Sequence, residues 1–368
     1  MFPASLSSPQ TLSLGLLLAL AACKTSGPVP EDTDSASSSA SESDTTTGTD
    51  TDTGTGTETS TGEPACSSES PAALMNCVER PRYEQDLGFI ADIRVPGSAH
   101  WQAVQDLCAD RLTELGYTVE LQNYGTGINV IGVRQGTSKP EERVLVGAHY
   151  DHIEACSGAD DNATGVAAAL EVARVLADVP TPRTLVITCW DEEEPGLIGS
   201  KAQAQAAVDD GDQITAVFDF EMVGYRDATP GAQEVPPGFD IAFPDVYAKI
   251  EANEFRGDFL FWVSDDTMAP LAIELAAFGD QIDLPTVGTP LEDAIKTSDL
   301  VADLRRSDHA AFWDHDIPAM MLNDTGNFRY PSYHCFDGND DTTDRLDHEF
   351  TTKVIKVTTA TTAVALGL

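Results

Sequence analysis

From about residue 80 onward, the apolar positions of the chain fall into two alternating periods. In "AHWQAVQDLCADRLTELGY", residues 99–117, Trp101, Val104, Leu107, Leu112 and Leu115 recur at helical spacing, and the run stops at Gly116, which suits a helix end. Short runs of strand character follow in "NVIGVRQG" and "RVLVGAHYD", then a helical pattern in "GVAAALEVARVLADV" and a strand in "RTLVITCW". The later chain repeats the alternation, with "ITAVFDFEMVGY", "GDFLFWVS" and "IPAMMLND" as strands. "DTMAPLAIELAAF" is a helix, and "LDHEFTTKVIKVTTATTAVALG" is the closing one. Strands alternating with helices predict an α/β sandwich on a largely parallel or mixed sheet, with ligands beyond the strand C-termini.

The first part of the chain has a different texture. Between Lys24 and Arg80 there is no Lys or Arg, and "EDTDSASSSASESDTTTGTDTDTGTGTETSTGEP" holds almost nothing apolar. Such a segment cannot bury enough surface to offset its ordering entropy, so residues 24–65 read as a disordered acidic tether. Ahead of it, "LSLGLLLALAAC" is too short to span a bilayer comfortably. Leu20, Ala21, Ala22 and Cys23 resemble the bacterial lipobox, although no Lys or Arg precedes the apolar run. The expected organisation is a lipoprotein-type signal segment over 1–23, the tether over 24–65 and a single catalytic domain over 66–368. The chain is expected to be exported, either held at the cell envelope through a lipid anchor on Cys23 or secreted.

Charge and cysteine content narrow the function. The chain carries 61 acidic and 21 basic residues, a formal charge of -40, and 41% hydrophobic residues, enough for a sizeable core. Such a surface repels phosphate backbones, so nucleic acid is excluded as a partner and cations are favoured. With Cys23 set aside, Cys66, Cys77, Cys108, Cys156, Cys189 and Cys335 remain, an even set whose pairing is open in an exported chain. Cys189 lies inside an apolar run and reads as a buried free thiol. Cys156 and Cys335 flank candidate site residues, and a bridge between them is one of the open pairings.

The acids and histidines concentrate where apolar runs end. "GAHYDH" carries His149, Asp151 and His152; "GADDNATG" carries Asp160 and Asp161; "WDEEEPGLIGS" carries Asp191, Glu192, Glu193 and Glu194. "DFEMVGY" adds Asp219 and Glu221, "SDH" adds Asp308 and His309, and "SYHCFDG" adds His334. Singly, each has a bland reading as a helix cap, a solvated turn or a core histidine. Together, imidazoles and carboxylates on successive strand ends can converge on a point, as Zn²⁺ requires. Two ions close together need a bridging carboxylate, further ligands on each side and a base near the shared water.

The ordered set "GAHYD", "GADDNATG", "EEPGLIGS", "EMVGY", "SDHAAFW" and "YH", from about residue 87 to 350, resembles that of metallopeptidase family 28, the co-catalytic zinc aminopeptidases. The resemblance implies a three-layer αβα sandwich with a central mixed, largely parallel sheet, two Zn²⁺ per chain, and peptide or protein N-termini as substrate. It implies Asp161 as the bridging ligand, with His149 and Glu221 completing one ion's set and Glu194 and His334 the other's. Gly196, Leu197, Gly199 and Ser200 fix the family's frame after its adjacent Glu pair, so Glu193 becomes the general base and Glu194 the ligand. Asp151 becomes the acceptor that holds the His149 ring. Tyr333, beside His334, matches an oxyanion donor of some relatives, and packing against the ligand is the equal alternative.

This sequence departs from most relatives at Glu221, where they place Asp; Asp219, on the same strand face, is the fallback ligand. Asp308 and His309 are expected to support the pocket. Arg305 and Arg306 either recognise a carboxylate or pair with surface acids, and pairing is the reading taken. Carboxypeptidase-like and glutaminyl cyclase-like enzymes, and a non-catalytic binding module on the same fold, are the alternatives to an aminopeptidase.

Overall fold

The computed structural model describes residues 70–368; the signal segment, the whole tether over 24–65, Cys23 and Cys66 lie outside the described residues. The apolar runs form one eight-stranded sheet. Its strands are β1 (Thr118–Asn123), β2 (Ile128–Arg134), β3 (Lys139–His149), β4 (Arg183–Trp190), β5 (Gln213–Glu221), β6 (Leu260–Asp265), β7 (Thr286–Leu291) and β8 (Ala319–Asn323). The order is β1-β2-β4-β3-β5-β8-β6-β7. The central strands β4, β3, β5 and β8 run parallel; β2 joins β4 and β6 joins β8 antiparallel, so the sheet is mixed with a parallel centre.

Both faces of the central strands are buried, which is why they read as continuous apolar runs. Alternate residues serve two cores. Val144, Val146, Leu185, Ile187, Phe218 and Phe220 pack with the helices Arg80–Ile90, Ala99–Glu114, Gly165–Leu176, Ala269–Gln281 and His348–Leu366. Leu145, Val186, Trp190 and Val217 pack with Ala204, Val246, Ile250 and Phe312, from helices on the other face. The result is three layers, helix on sheet on helix. The helix Ala99–Glu114 starts where Ser98 Oγ accepts the Trp101 N–H at 3.2 Å, and Gly116 past its end has φ +79°. No described helix is long and apolar enough to cross a membrane.

One cysteine assignment is corrected. Cys189 is not a free thiol: it faces the Ala99–Glu114 helix from β4 and is disulfide-bonded to the buried Cys108, with Cα atoms 6.7 Å apart. An inward strand position looks equally apolar whether its sulfur is free or bridged, so the run alone could not distinguish them. Cys156 and Cys335 are bridged to each other.

Candidate metal centre

Parallel pairing brings the acid-bearing ends of the strands to one edge of the sheet. His149 ends β3 opposite Trp190 at the end of β4, and Glu221 ends β5 opposite Asn323 of β8. The acidic run therefore emerges beside His149, and Glu221 stands on the other side of it. Asp161 comes from the turn Ala159–Thr164 that leads into the Gly165–Leu176 helix. Gly158, which opens that turn, has φ +56°, and a Cβ there would lie 2.2 Å from the Asp161 carbonyl oxygen, so a side chain is excluded.

Two groups of ligand atoms overlap at Asp161. His149 Nε2 lies 3.4 Å from Asp161 Oδ1 and 3.3 Å from Glu221 Oε2. His334 Nε2 lies 3.2 Å from Asp161 Oδ2 and 3.3 Å from Glu194 Oε2. His152, collected from the sequence without a role, joins the second group: its Nδ1 is 2.7 Å from Glu194 Oε1, and one donor atom each of His152, Asp161 and Glu194 fall within 4.8 Å of one another.

Several of these buried atoms lack a well-aligned hydrogen bond: His149 Nε2, both ring nitrogens of His152, and Glu194 Oε1, the last meeting His152 Nδ1 at 2.7 Å. Buried polar atoms are normally partnered, so such atoms facing a common point fit a cation. The electrostatics agree. Burial, followed by the charges of Glu221, Asp308 and Glu194, pushes Glu193 well above the usual carboxyl range against the pull of His149. Burial, with Asp161 and Asp219 nearby, raises Glu221 to about 7. Burial opposes charging of His149, yet Glu193, Asp151, Asp161 and Glu221 together hold its pKa well above the imidazole norm. Cations between these groups would relieve both effects, and the mixture of imidazole and carboxylate suits zinc.

The surrounding residues fix the geometry. Asp151 accepts the backbone N–H groups of Glu193 at 2.9 Å and Glu194 at 3.3 Å, and its Oδ1 lies 3.5 Å from His149 Nδ1. Ser307 donates to Glu221 Oε2 at 2.7 Å. Two residues that sequence reading missed hold the Asp161 turn. Fully buried Arg94 donates to the carbonyls of Gly158 and Asp161 at 2.7 and 2.9 Å, and Asp341 accepts the N–H groups of Asp160 and Asp161. Neither lies in a motif, so no sequence signal marked them.

The remaining candidates separate clearly. Asp219, the fallback ligand, points away: its Oδ2 accepts the backbone N–H of His309 at 2.9 Å and lies 3.1 Å from His309 Nδ1. His309 thus supports the strand, and Asp308 is fully buried and lines neither of the two clefts beside the site. Arg305 pairs with Asp314 at 2.6 Å, as expected. Arg306 pairs with the surface acid Asp303 at 3.9 Å, and it also donates to Tyr333 Oη and Asn327 Oδ1, each at 2.8 Å. The Tyr333 ring stacks on His334 with centroids 3.9 Å apart. Of the acidic run, Asp191 binds Trp101 and the Ile128 amide, and Glu192 accepts from Thr126, so both brace the strand end.

Beside Glu221 and Tyr333 opens a cleft whose wall includes Val235, Phe239, Ile250, Phe261, Met321 and Phe328. A second, polar depression holds Asp161, Glu193, Glu194 and His334. Glu221, Arg306 and Tyr333 line both.

Comparison with known proteins agrees with this geometry. Residues 129–241 match the family model "Peptidase family M28", a span that contains His149, Asp161, Glu193, Glu194 and Glu221. The chain is 31% identical over 225 residues to the "Uncharacterized protein YfbL" of Escherichia coli, covering 58% of this chain and 64% of that one. It is 40% identical over 76 residues to "Aminopeptidase YwaD" of Bacillus subtilis, covering 20% and 17% of the two chains. The match thus spans less than two thirds of these relatives' length. The LapA aminopeptidase structure from Legionella pneumophila superposes with a TM-score of 0.63 at 18% identity, over 81% of this chain and 75% of that one, which establishes the shared fold. Joined to the motif order and the paired ligand groups, these matches show that residues 129–241 carry the sequence pattern of peptidase family M28.

Proposed function

We propose that the chain is a zinc-dependent exopeptidase that removes N-terminal residues from peptides. His149, Asp161 and Glu221 would hold one zinc ion, and Asp161, Glu194 and His334 the second. The observation that carries this reading is Asp161, whose two oxygens face different histidines, with Glu193 beside it unengaged: among the described residues its carboxylate takes no hydrogen bond and lies 3.9 Å from His149 Nε2. A bridging carboxylate with a free neighbouring base is what two-ion hydrolysis needs.

Bound zinc supplies Lewis acidity, polarising a peptide carbonyl and making water easier to deprotonate. Glu193 takes the proton of the attacking water and passes it to the leaving amine, a role open to it because its carboxylate is unengaged and stands 3.9 Å from His149 Nε2. Asp151 keeps Glu193 and Glu194 in place through their backbone N–H groups. Arg306 occupies a lone pair of the Tyr333 hydroxyl, which leaves that hydroxyl's proton free to donate to the developing oxyanion. The carboxylates attract the substrate's free α-amine, and the apolar cleft accepts its first side chain. The same proposal places the chain at the cell envelope through Cys23, or outside the cell.

The test is turnover by the zinc-loaded full chain on leucine, phenylalanine, alanine and glutamate amides, alongside N-acetyl-leucine amide and a glutaminyl peptide. The proposal expects leucine and phenylalanine amides to lead and the acetylated compound to be inert. Preferential cleavage of blocked substrates, or cyclisation of the glutaminyl peptide, would replace it with one of the alternative enzymes.

A further inference from the structure

The surroundings of Arg306 are unlike those of its neighbour. Arg305 is mostly covered, and its guanidinium is spent on Asp314 and the Lys296 carbonyl, each at 2.6 Å. Arg306 is 44% exposed and held by two neutral oxygens, those of Asn327 and Tyr333, each at 2.8 Å. Among the described residues, Asp303 is the acid within ion-pair reach, at 3.9 Å and itself half exposed. The guanidinium lies over the Tyr333 ring, 5.6 Å from its centroid, and that ring stacks on His334. A fixed cation therefore lines a depression whose carboxylates are Asp161, Glu193, Glu194 and Glu221; Arg305, the other guanidinium in its wall, is already spent on Asp314 and the Lys296 carbonyl. In a chain of charge -40, a free carboxylate approaching this site is repelled unless a local cation receives it.

We propose that Arg306 binds the free α-carboxylate of a dipeptide, which makes dipeptides the preferred substrate class; this rests on the aminopeptidase reading above. The first residue of the substrate is already accounted for, its amine by the carboxylates and its side chain by the apolar cleft. An acidic first side chain is disfavoured, because the charged groups lining that cleft besides Arg306 are Glu221, Glu234 and Asp303. The leaving residue remains to meet Arg306. In a dipeptide, its α-carboxylate sits one carbon beyond the scissile nitrogen; in a longer peptide, the same place holds a neutral amide. Two guanidinium N–H groups are used in holding the side chain, and the others are free for a charge-assisted pair, which is stronger than a neutral hydrogen bond.

The test compares Leu-Leu with Leu-Leu amide, and Leu-Asp amide with Leu-Asn amide, on the zinc-loaded full chain. Wild type, Arg306→Gln and Arg306→Lys are assayed for kcat/KM. Binding of the first pair is measured by calorimetry to zinc-loaded Glu193→Ala with and without Arg306→Gln. The expected result is a preference of about tenfold or more for Leu-Leu over its amide, in turnover and in binding. That ratio should collapse toward unity in Arg306→Gln and partly return in Arg306→Lys. The ratio cancels any general damage from loosening Tyr333. Equal treatment of the first pair by wild type, or a preference that survives Arg306→Gln, overturns the proposal. Selection of Leu-Asp amide over Leu-Asn amide without selection of Leu-Leu would assign Arg306 to an acidic side chain instead, and overturns the dipeptide class. Absence of turnover on every substrate, with the Arg306-dependent binding preference intact, would refute the aminopeptidase reading and leave the carboxylate site standing.

Discussion

Cys156 is disulfide-bonded to Cys335, the residue next to His334, so the loop after β3 and the loop carrying that ligand candidate form one covalent unit. His334 sits in irregular backbone with φ +52° and has no strand to hold it. The bridge therefore supplies the fixation that β3 and β5 give to His149 and Glu221. Replacing both cysteines by Ser should lower the melting temperature, since losing a native disulfide costs about 2–5 kcal/mol. Zinc should fall from the proposed two ions per chain toward one after dialysis, measured by elemental analysis. Retention of both ions would show that the His334 loop holds its place unaided.

Asp151 should prove almost as important as the ligands. Its carboxylate spans the Glu193 and Glu194 amides and faces His149, so Asp151→Asn turns one acceptor into a donor that meets an N–H group. Zinc affinity is expected to fall about 10–100-fold, the usual cost of losing a group that orients ligands. Chelator competition measures it, and an unchanged affinity would contradict the role.

His152 provides a related test. Its Nδ1 lies 2.7 Å from Glu194 Oε1 and within reach of Asp161, which places it with the Glu194 group. His152→Ala should weaken the ion shared by Glu194 and His334 by roughly tenfold and spare the one at His149. Cobalt substitution, read by absorption spectra during titration, separates the two; equal weakening of both would refute the assignment.

Metal-free protein should lose stability as pH rises. Glu221 is raised from 4.5 to about 7, and Asp191 and Asp324 from 3.8 to about 6, in each case by burial first. Between the ordinary and the shifted values the folded state holds protons that the unfolded state has released, so stability drops across about pH 4 to 7. His334 acts in the same direction later. Burial lowers its pKa, but Asp161 and Glu194 override this and raise it from 6.5 to about 10, so its contribution is complete below 6.5 and gone above about 10. Zinc, by replacing the protons of Glu221 and His334, should flatten their part of the profile and leave that of Asp191 and Asp324. Melting temperatures from pH 5 to 9, with and without zinc, check it, and a metal-free profile that rises with pH would contradict the reading.

Much of the site was legible in the sequence, for a physical reason. His149 and Glu221 end strands and Glu193 and Glu194 follow one, and parallel pairing must bring such ends to one edge. His334 depended on resemblance, since its loop has no periodicity to place it. Arg94 and Asp341 were illegible because they act through backbone contacts to the Asp161 turn from distant segments. The Ile198–Asp210 helix went unread because "IGSKAQAQAAVDD" has no clear apolar stripe. Cys189 was misread because a buried bridge and a buried thiol leave the same apolar pattern.

The most direct test of the central claim is zinc content and leucine amide turnover of the full chain, wild type against Glu193→Ala. The account predicts about two zinc ions in both proteins and a turnover loss of about 10²–10⁴-fold in the variant, the range expected for a lost general base. Folded wild-type protein that retains no zinc, or a Glu193→Ala variant with wild-type turnover, would contradict it.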